Sequence, residues 1–229
     1  MLLLNFFRSS IGLKIIMALT GLALFGFTVG HMAGNLQMFL APEHINKYAA
    51  FLQGQKELLW MARIGLLVAV FLHIYAAVKL SALNAMARPV SYSDPAKSAT
   101  RASVASRTML LSGVVVMVFI VFHLLHFTGG FIQPDYFHYE DPAGRHDVYR
   151  MVFEGFKNPL ISGFYIISVV LLGAHLSHGL MSMFRSLGLS SPAYRRQQEL
   201  FANAFSALIV VGMAIVPFAV LIGLINPTY

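Results

Sequence analysis

The nine histidines are the residues of this chain whose chemistry most needs an explanation. Six of them lie within long apolar segments of the sequence: His31, His73, His123, His126, His175 and His178. An ionisable residue inside a bilayer is costly and usually functional. No Asp or Glu lies deep within these segments, so a proton relay lacks its carboxylates. Metal ligation, for which neutral imidazole is well suited, is therefore the favoured interpretation.

The composition limits the class of protein to which these histidines belong. Of the 229 residues, 58% are hydrophobic and 11% are charged, whereas a soluble domain carries about 25% charged residues. The chain is therefore expected to lie almost entirely in lipid, without a large soluble catalytic domain. The absence of cysteine excludes disulfides, thiol catalysis, iron–sulfur ligation and covalent haem attachment. The net charge of +7 is interpreted as membrane topology, with no nucleic acid as partner.

Five apolar segments are long enough to cross a hydrocarbon core about 30 Å thick, and helices are expected because lipid-exposed backbone must satisfy its own hydrogen bonds. The sequence thus predicts an all-α integral membrane bundle forming a single domain over residues 1–229. The predicted spans run from about 11–40, 58–87, 107–129, 159–184 and 200–224.

The loops between the spans predict the orientation. Lys and Arg dominate the segment before the first span, the loop between spans two and three, and the loop between spans four and five. The other loops carry most of the acids, including the longest one at 131–158. By the positive-inside rule the N-terminus is cytoplasmic and the C-terminus is outside. His44, His138 and His146 then lie in outside loops, where solvated side chains are expected.

Two of the membrane histidines are predicted to lie in the outer half of the bilayer. His31 stands ~13 Å before Leu40 in the first span, which runs outward. His123 stands ~9 Å before Gly129 in the third span, which also runs outward. Depth alone favours His123 over its neighbour His126 by only a small margin.

Two further histidines are predicted to lie in the inner half. His73 is ~9 Å before Lys79, the first inner cation of the second span. His175 is ~15 Å before Arg185 in the fourth span. Depth does not distinguish His175 from His178. One histidine from each of two helices in each of two layers predicts two bis-histidine b-type haems, and argues against a single site with four histidines.

Glycines accompany the first of these histidines. Gly26, Gly30 and Gly34 recur every four residues and predict a groove beside His31. A flat macrocycle needs such a close approach to backbone, and ordinary packing of small residues between helices would use the same pattern.

At this point the whole chain resembles the single-chain, five-helix, di-haem cytochrome b subunit that anchors succinate:quinone oxidoreductases (succinate dehydrogenase, fumarate reductase, complex II) in bacteria. Each motif alone is weak, whereas their order along the spans is specific. The motifs are Thr20-Gly21, Gly30-His31-Met32, Gly34-Asn35-Leu36, His73 with the Lys79 region, Ser112-Gly113 with His123-Leu124, His175-x-x-x-Gly179-Leu180 and Leu187-Gly188-Leu189.

The resemblance implies a ligand set. His73 and His175 would hold the proximal haem, and His31 and His123 the distal haem. The haem surroundings would include Gly30, Gly34, Lys14, Arg107, Arg185, His126 and His178. The basic residues among them stand where haem propionates would end on the inner side, although a positive-inside anchor is the favoured interpretation of each. Asn46, Glu57 and His126 are the candidates for a quinone site.

The resemblance also implies partners. A flavoprotein with covalent FAD would interconvert succinate and fumarate, and an iron–sulfur protein would relay electrons to this chain. This chain would carry no dicarboxylate site, would anchor both proteins in the bacterial cytoplasmic membrane, and would exchange electrons with menaquinone or another quinone. Whether the complex forms a higher oligomer is left open by the resemblance. The chain departs from the family at one position, since Gly173 stands where one fumarate-reducing branch has a glutamate.

Two other functions remain open from the residues. A di-haem anchor of a hydrogenase or formate dehydrogenase would share the haems and differ in its partner. A haem-free anchor or transporter would use the histidines for packing or for substrate, and would be colourless. Discontinuous helices and matching halves, which would support a transporter, are not found in the sequence.

Overall fold

A computed structural model describes residues 9–87 and 104–226, with side chains of the second stretch from residue 109 onward. Within this part of the chain the secondary structure is helical, apart from an isolated bridge between Glu140 and His146. The helices are α1 Ser10–Asn35, α2 Pro42–Gly54, α3 Lys56–Met86, α4 Val104–His123, α5 Val148–Lys157, α6 Pro159–Ser186 and α7 Arg195–Leu221.

Five of these helices confirm the predicted spans. Helices α1, α3, α4, α6 and α7 are each long and apolar enough to cross a membrane. In the last span the bounds differ from prediction because α7 begins five residues earlier, where Arg195 pairs with Glu199 at 3.0 Å one turn further on. It ends before Gly223, whose φ of 74° a residue with a side chain adopts at a cost.

Four of the spanning helices form a bundle, and the fifth packs against its side. Helix α1 contacts α3 and α6, and α4 contacts α6 and, more weakly, α3. Among the described residues α1 and α4 therefore lie diagonally across the bundle, as do α3 and α6. Helix α7 packs along α6 and also touches α1.

Each of the two connections on the long-loop side contains a short helix, where loops are expected from the sequence. Helix α2 has Pro42 in its first turn, and α5 is capped at its N-terminus by Asp147, whose carboxylate accepts the Arg150 backbone N–H at 3.0 Å. Both are short, so their stability comes from packing of an apolar face. We call the end of the bundle that carries α2 and α5 the capped end. The buried residues of α5 are Tyr149, Met151, Val152, Phe153, Gly155 and Phe156.

A buried polar cluster joins the two capping helices. The Asn46 side-chain amide of α2 donates to Asp147 at 3.0 Å and to Asp141 at 3.5 Å, and its oxygen accepts the Tyr149 N–H at 3.0 Å. Asp141 also accepts the Arg145 backbone N–H and pairs with the Arg145 guanidinium. Burial raises the pKa of Asp141, but the hydrogen bonds from Arg145 outweigh burial and hold the pKa below its usual value.

The three histidines outside the spans are not alike. His44 and His138 are exposed, as expected, whereas His146 is half-buried with its ring 5.4 Å from that of Phe137. Burial lowers the pKa of His146, and the nearby Asp147 carboxylate opposes that shift only in part. The expectation of a solvated side chain is thus wrong for His146, because the folded 131–158 connection covers it.

Candidate functional site

The bundle brings four of the six membrane histidines together as two pairs. The rings of His31 and His123 lie with their centroids 5.6 Å apart, near the capped end, and we call them the cap-side pair. The rings of His73 and His175 have centroids 6.4 Å apart and form the far-side pair. Each pair joins helices that are diagonal in the bundle, so its rings meet on the bundle axis. The described residues contain no cluster of three or more His, Asp or Glu that could hold a metal ion.

A hydroxyl from a neighbouring helix orients His73. The Oγ1 atom of Thr20 on α1 lies 3.1 Å from the Nδ1 atom of His73 on α3. That hydroxyl donates its own hydrogen to the backbone oxygen of Ile16 at 2.7 Å. Because a hydroxyl has one hydrogen, Thr20 accepts from His73. The Nδ1 atom therefore carries the ring proton, and the lone pair of Nε2 is left for a metal.

The same arrangement orients His175 on the other side of the bundle. The Ser112 Oγ atom of α4 lies 3.1 Å from the His175 Nδ1 atom of α6, and donates to the Met109 backbone oxygen at 3.0 Å. His175 consequently also carries its proton on Nδ1. His178 takes no part in these contacts, and His175 is the one of these two residues whose ring lies near that of His73.

Each hydroxyl is followed by a glycine that lets the imidazole approach the helix. A Cβ atom placed on Gly21 would lie 3.2 Å from the Cε1 atom of His73, closer than most real Cβ contacts. A Cβ atom on Gly113 would lie 3.6 Å from the Cε1 atom of His175, an ordinary contact distance. A side chain at Gly21 would therefore force the His73 ring to shift by a few tenths of an ångström, whereas a side chain at Gly113 would leave the His175 ring in place.

The cap-side pair has a hydrogen-bonded chain on one flank. The Nε2 atom of His126 lies 2.8 Å from the Gln133 side-chain oxygen, which only accepts. Neutral His126 then accepts at Nδ1, from the Tyr165 hydroxyl at 3.0 Å. The Tyr165 oxygen is left to accept from the His123 Nδ1 atom, at the longer distance of 3.4 Å. His123 thus also has Nε2 free.

Local backbone geometry distinguishes the roles of His123 and His126, the histidine doublet of this segment. The helix widens into a π-helical turn over Leu124–Thr128 immediately after His123, a feature often found at functional sites. His126 lies on this turn, is only 3% exposed and has both nitrogens hydrogen-bonded. It therefore has no lone pair to offer a metal, and His123 is the residue of this doublet that faces His31.

The glycines of the predicted groove have different surroundings. A Cβ atom placed on Gly26 or Gly30 would meet no atom within 4 Å, so both border open space. Gly34 faces the Tyr48 ring of α2, which would lie 3.1 Å from such an atom. The space beside Gly34 is thus filled by a capping helix. Gly173 lies where α6 packs on α7, and a side chain there would collide with Val210.

The remaining predicted site residues are not gathered at the two pairs. Lys14 and Arg185 are exposed, and the side chain of Arg107 lies outside the described residues. Glu57 is exposed in the first turn of α3, whereas Asn46 is 1% exposed within the polar cluster of the cap. The predicted quinone residues Asn46, Glu57 and His126 share no hydrogen bond or ring contact with one another in the described structure.

Four residues of the site carried no assigned role from sequence alone: Thr20, Ser112, Tyr165 and Gln133. One signal was available for the first two. Eleven residues separate Thr20 from His31 and also Ser112 from His123. Eleven residues are about three helical turns, so each hydroxyl and its histidine share one face of their helix. Tyr165 and Gln133 had no such signal.

The chain matches no known family model, no curated protein and no solved structure.

Proposed function

We propose that this chain is a di-haem cytochrome b membrane subunit of the succinate:quinone oxidoreductase type in a bacterial cytoplasmic membrane. The observation that carries the proposal is the presence of two facing pairs of imidazoles on the bundle axis. Three of the four rings have Nδ1 engaged and Nε2 free for a metal.

The ring distances agree with the size of the proposed group. Imidazole nitrogens bind metal ions at about 2 Å, so two rings that would share one ion have centroids within about 6.5 Å of each other. The observed centroid distances are 5.6 Å and 6.4 Å. Open space at Gly26 and Gly30 also suits a flat ligand beside the cap-side pair. The donor set is neutral imidazole, which suits haem iron.

His31 with His123 would hold one haem, and His73 with His175 the other. A haem with two imidazole ligands supplies one-electron transfer. The chain's own groups hold the imidazoles in place through Thr20 and Ser112, and apolar helices surround both pairs. These are the protein's contributions to cofactor chemistry: position, hydrogen bonding and a low-dielectric surrounding.

The soluble partners and the quinone belong to the same proposal and are supported by the resemblance alone. A flavoprotein and an iron–sulfur protein would dock at the basic, cytoplasmic end, and menaquinone or another quinone would exchange electrons within the membrane. His126 and Gln133 are the stronger candidates for quinone contacts, because Tyr165 links them to His123. Asn46 is engaged within the cap and Glu57 is remote from this chain of contacts.

The test is haem quantification per polypeptide in the purified full chain, combined with a dithionite-reduced minus oxidised visible spectrum. We expect about two b-type haems per chain. His31→Ala or His123→Ala should each remove the same one, and His73→Ala or His175→Ala the other. His44→Ala, in an exposed position of α2, is the matched control and should keep both.

Three results would count against the proposal. A colourless protein that has been purified in folded form would favour the transporter interpretation. Retention of two haems in His31→Ala and His73→Ala would exclude the ligand assignment. Copurification with a hydrogenase or formate dehydrogenase in place of a flavoprotein that oxidises succinate would move the chain to another di-haem class.

A further inference from the structure

We infer that Thr20 and Ser112 are positioning residues that set the ring orientation and the electron-donating strength of both far-side imidazoles. The inference rests on the proposed function, because it concerns how these imidazoles would serve a haem iron. It adds a role for two hydroxyl groups that touch the histidines and not the metal.

Thr20 and Ser112 accept the hydrogen bonds that they share with the far-side imidazoles. Both hydroxyls use their single hydrogen on a backbone oxygen of their own helix, at 2.7 Å for Thr20 and 3.0 Å for Ser112. Each can therefore only accept from the imidazole 3.1 Å away. A hydrogen bond accepted from the non-ligating ring nitrogen fixes the tautomer and the ring plane, and increases the basicity of the ligating nitrogen.

Each of these two hydrogen bonds joins a pair of neighbouring helices. Thr20 of α1 holds His73 of α3, and Ser112 of α4 holds His175 of α6. The two bonds therefore occupy equivalent places on the two sides of the bundle. Each one links a far-side histidine to a neighbouring helix, and that neighbouring helix also carries a cap-side histidine. The cap-side pair is held differently, since His123 has the longer 3.4 Å contact with Tyr165.

An alternative role for these hydroxyls is only to hydrogen-bond to the backbone of their own helix. Thr and Ser within helices commonly donate to the carbonyl one turn earlier. Thr28 of α1 does so, donating to the Leu24 oxygen at 2.8 Å, and no hydrogen bond to a histidine accompanies it. A backbone bond of this kind thus occurs in α1 without an imidazole partner. Thr28 is for this reason the matched control for Thr20.

The experiment compares Thr20→Val, Ser112→Ala and Thr28→Val in the full chain within its membranes. The readouts are the midpoint potential of each haem and the low-temperature EPR spectrum, in which the largest g value reports the orientation of the axial rings. A weaker hydrogen bond makes the ligand less basic and stabilises reduced iron. We expect the far-side haem to rise in potential in Thr20→Val and Ser112→Ala, with a shifted g value, and the cap-side haem to be unchanged.

The expected size is about a threefold change in the preference for reduced iron, which is about 30 mV for a one-electron couple. The double variant should exceed either single variant, and Thr28→Val should match the wild type. Thr20→Ser and Ser112→Thr keep the acceptor and should restore wild-type values. If Thr20→Val instead loses the far-side haem, retention of that haem in Thr20→Ser and in Thr28→Val supports the same role.

Two outcomes would overturn the inference. One is a Thr20→Val, Ser112→Ala double variant with two haems and wild-type potentials and spectra. The other is an equal effect of Thr28→Val, which would assign the change to general disturbance of α1. Both leave the proposed function intact, whereas a wild-type chain without haem would remove the proposed function itself.

Discussion

Replacement of Asn46 by Ala is expected to open the capped end without removing either histidine pair. Asn46 is 1% exposed and joins α2 to α5 through Asp147 and the Tyr149 backbone. The variant loses a hydrogen bond to a carboxylate, worth about 1.5–3 kcal/mol. It also leaves the buried Tyr149 N–H without this acceptor, at a cost of about 1–3 kcal/mol.

These two losses together predict that the cap is destabilised by about 2.5–6 kcal/mol. The contact of Asn46 with Asp141 is 3.5 Å long and adds little. A change of this size is a large part of the stability of an ordinary domain. If opening of the cap is fast relative to cleavage, proteolysis follows the population of the open form. Cleavage should then accelerate about a hundredfold or more.

The assay is limited tryptic digestion of the detergent-solubilised chain, followed at Arg150 within α5. His44→Ala, on the same capping helix but exposed, is the control and should be cleaved at the wild-type rate. Asn46→Asp tests the sign of the electrostatics, because it places a carboxylate 3.0 Å from that of Asp147. It should be cleaved faster than Asn46→Ala at neutral pH, and acidification should narrow the difference.

A wild-type cleavage rate in Asn46→Ala would refute this reasoning. If that result came with a weaker affinity for quinone, Asn46 would return to the role that the sequence predicted for it. Faster cleavage with unchanged quinone affinity would instead assign Asn46 to the cap alone.

Three further predictions concern single positions. Gly21→Ala should lower the occupancy of the far-side haem, because its Cβ atom would lie only 3.2 Å from the His73 ring. Gly113→Ala, whose Cβ atom would lie 3.6 Å from the His175 ring, should bind haem like the wild type. The measurement is the amount of haem per chain. Tyr165→Phe should keep two haems but shift the EPR signal of the cap-side haem only, because it removes the hydroxyl beside His123; an unchanged spectrum would contradict this. Burial lowers the pKa of His146 in the folded cap. The neutral ring therefore contributes fully to the stability of the cap above the unfolded pKa of about 6.5, and this contribution is lost as pH falls below that value. Wild-type cleavage by a protease active across this range should thus accelerate from pH 8 to pH 5, and His146→Gln should remove most of that dependence.

The spanning helices could be predicted because hydropathy over about twenty residues is a strong and local signal. The depth of His31 and His73 within their helices is also a local quantity, so the sequence could assign them to separate layers. Pairing across the bundle depends on which helices are diagonal. The structure places α1 opposite α4, and α3 opposite α6, and thereby brings together the residues that depth had grouped.

The capping helices could not be predicted in the same way. Helix α5 has ten residues, lies among Pro, Gly and acidic residues, and owes its stability to an apolar face that packs on the bundle. The π-helical turn after His123 likewise depends on tertiary contacts of His126 with Tyr165 and Gln133. These contacts join segments far apart in sequence, and local propensity carries no information about them.

The three-turn interval between hydroxyl and histidine also fixes how the two histidine layers respond to the surrounding lipid. Thr20 stands at the level of His73, and His31 follows it eleven residues, or about 16 Å, along one continuous helix. Bilayers of different thickness are accommodated mainly by tilting of whole helices. Because both histidine layers are attached to the same continuous helices, tilting of these helices moves the two layers together and leaves the distance between the layers unchanged. If the two pairs hold haems as proposed, electron transfer between them should thus be insensitive to acyl-chain length.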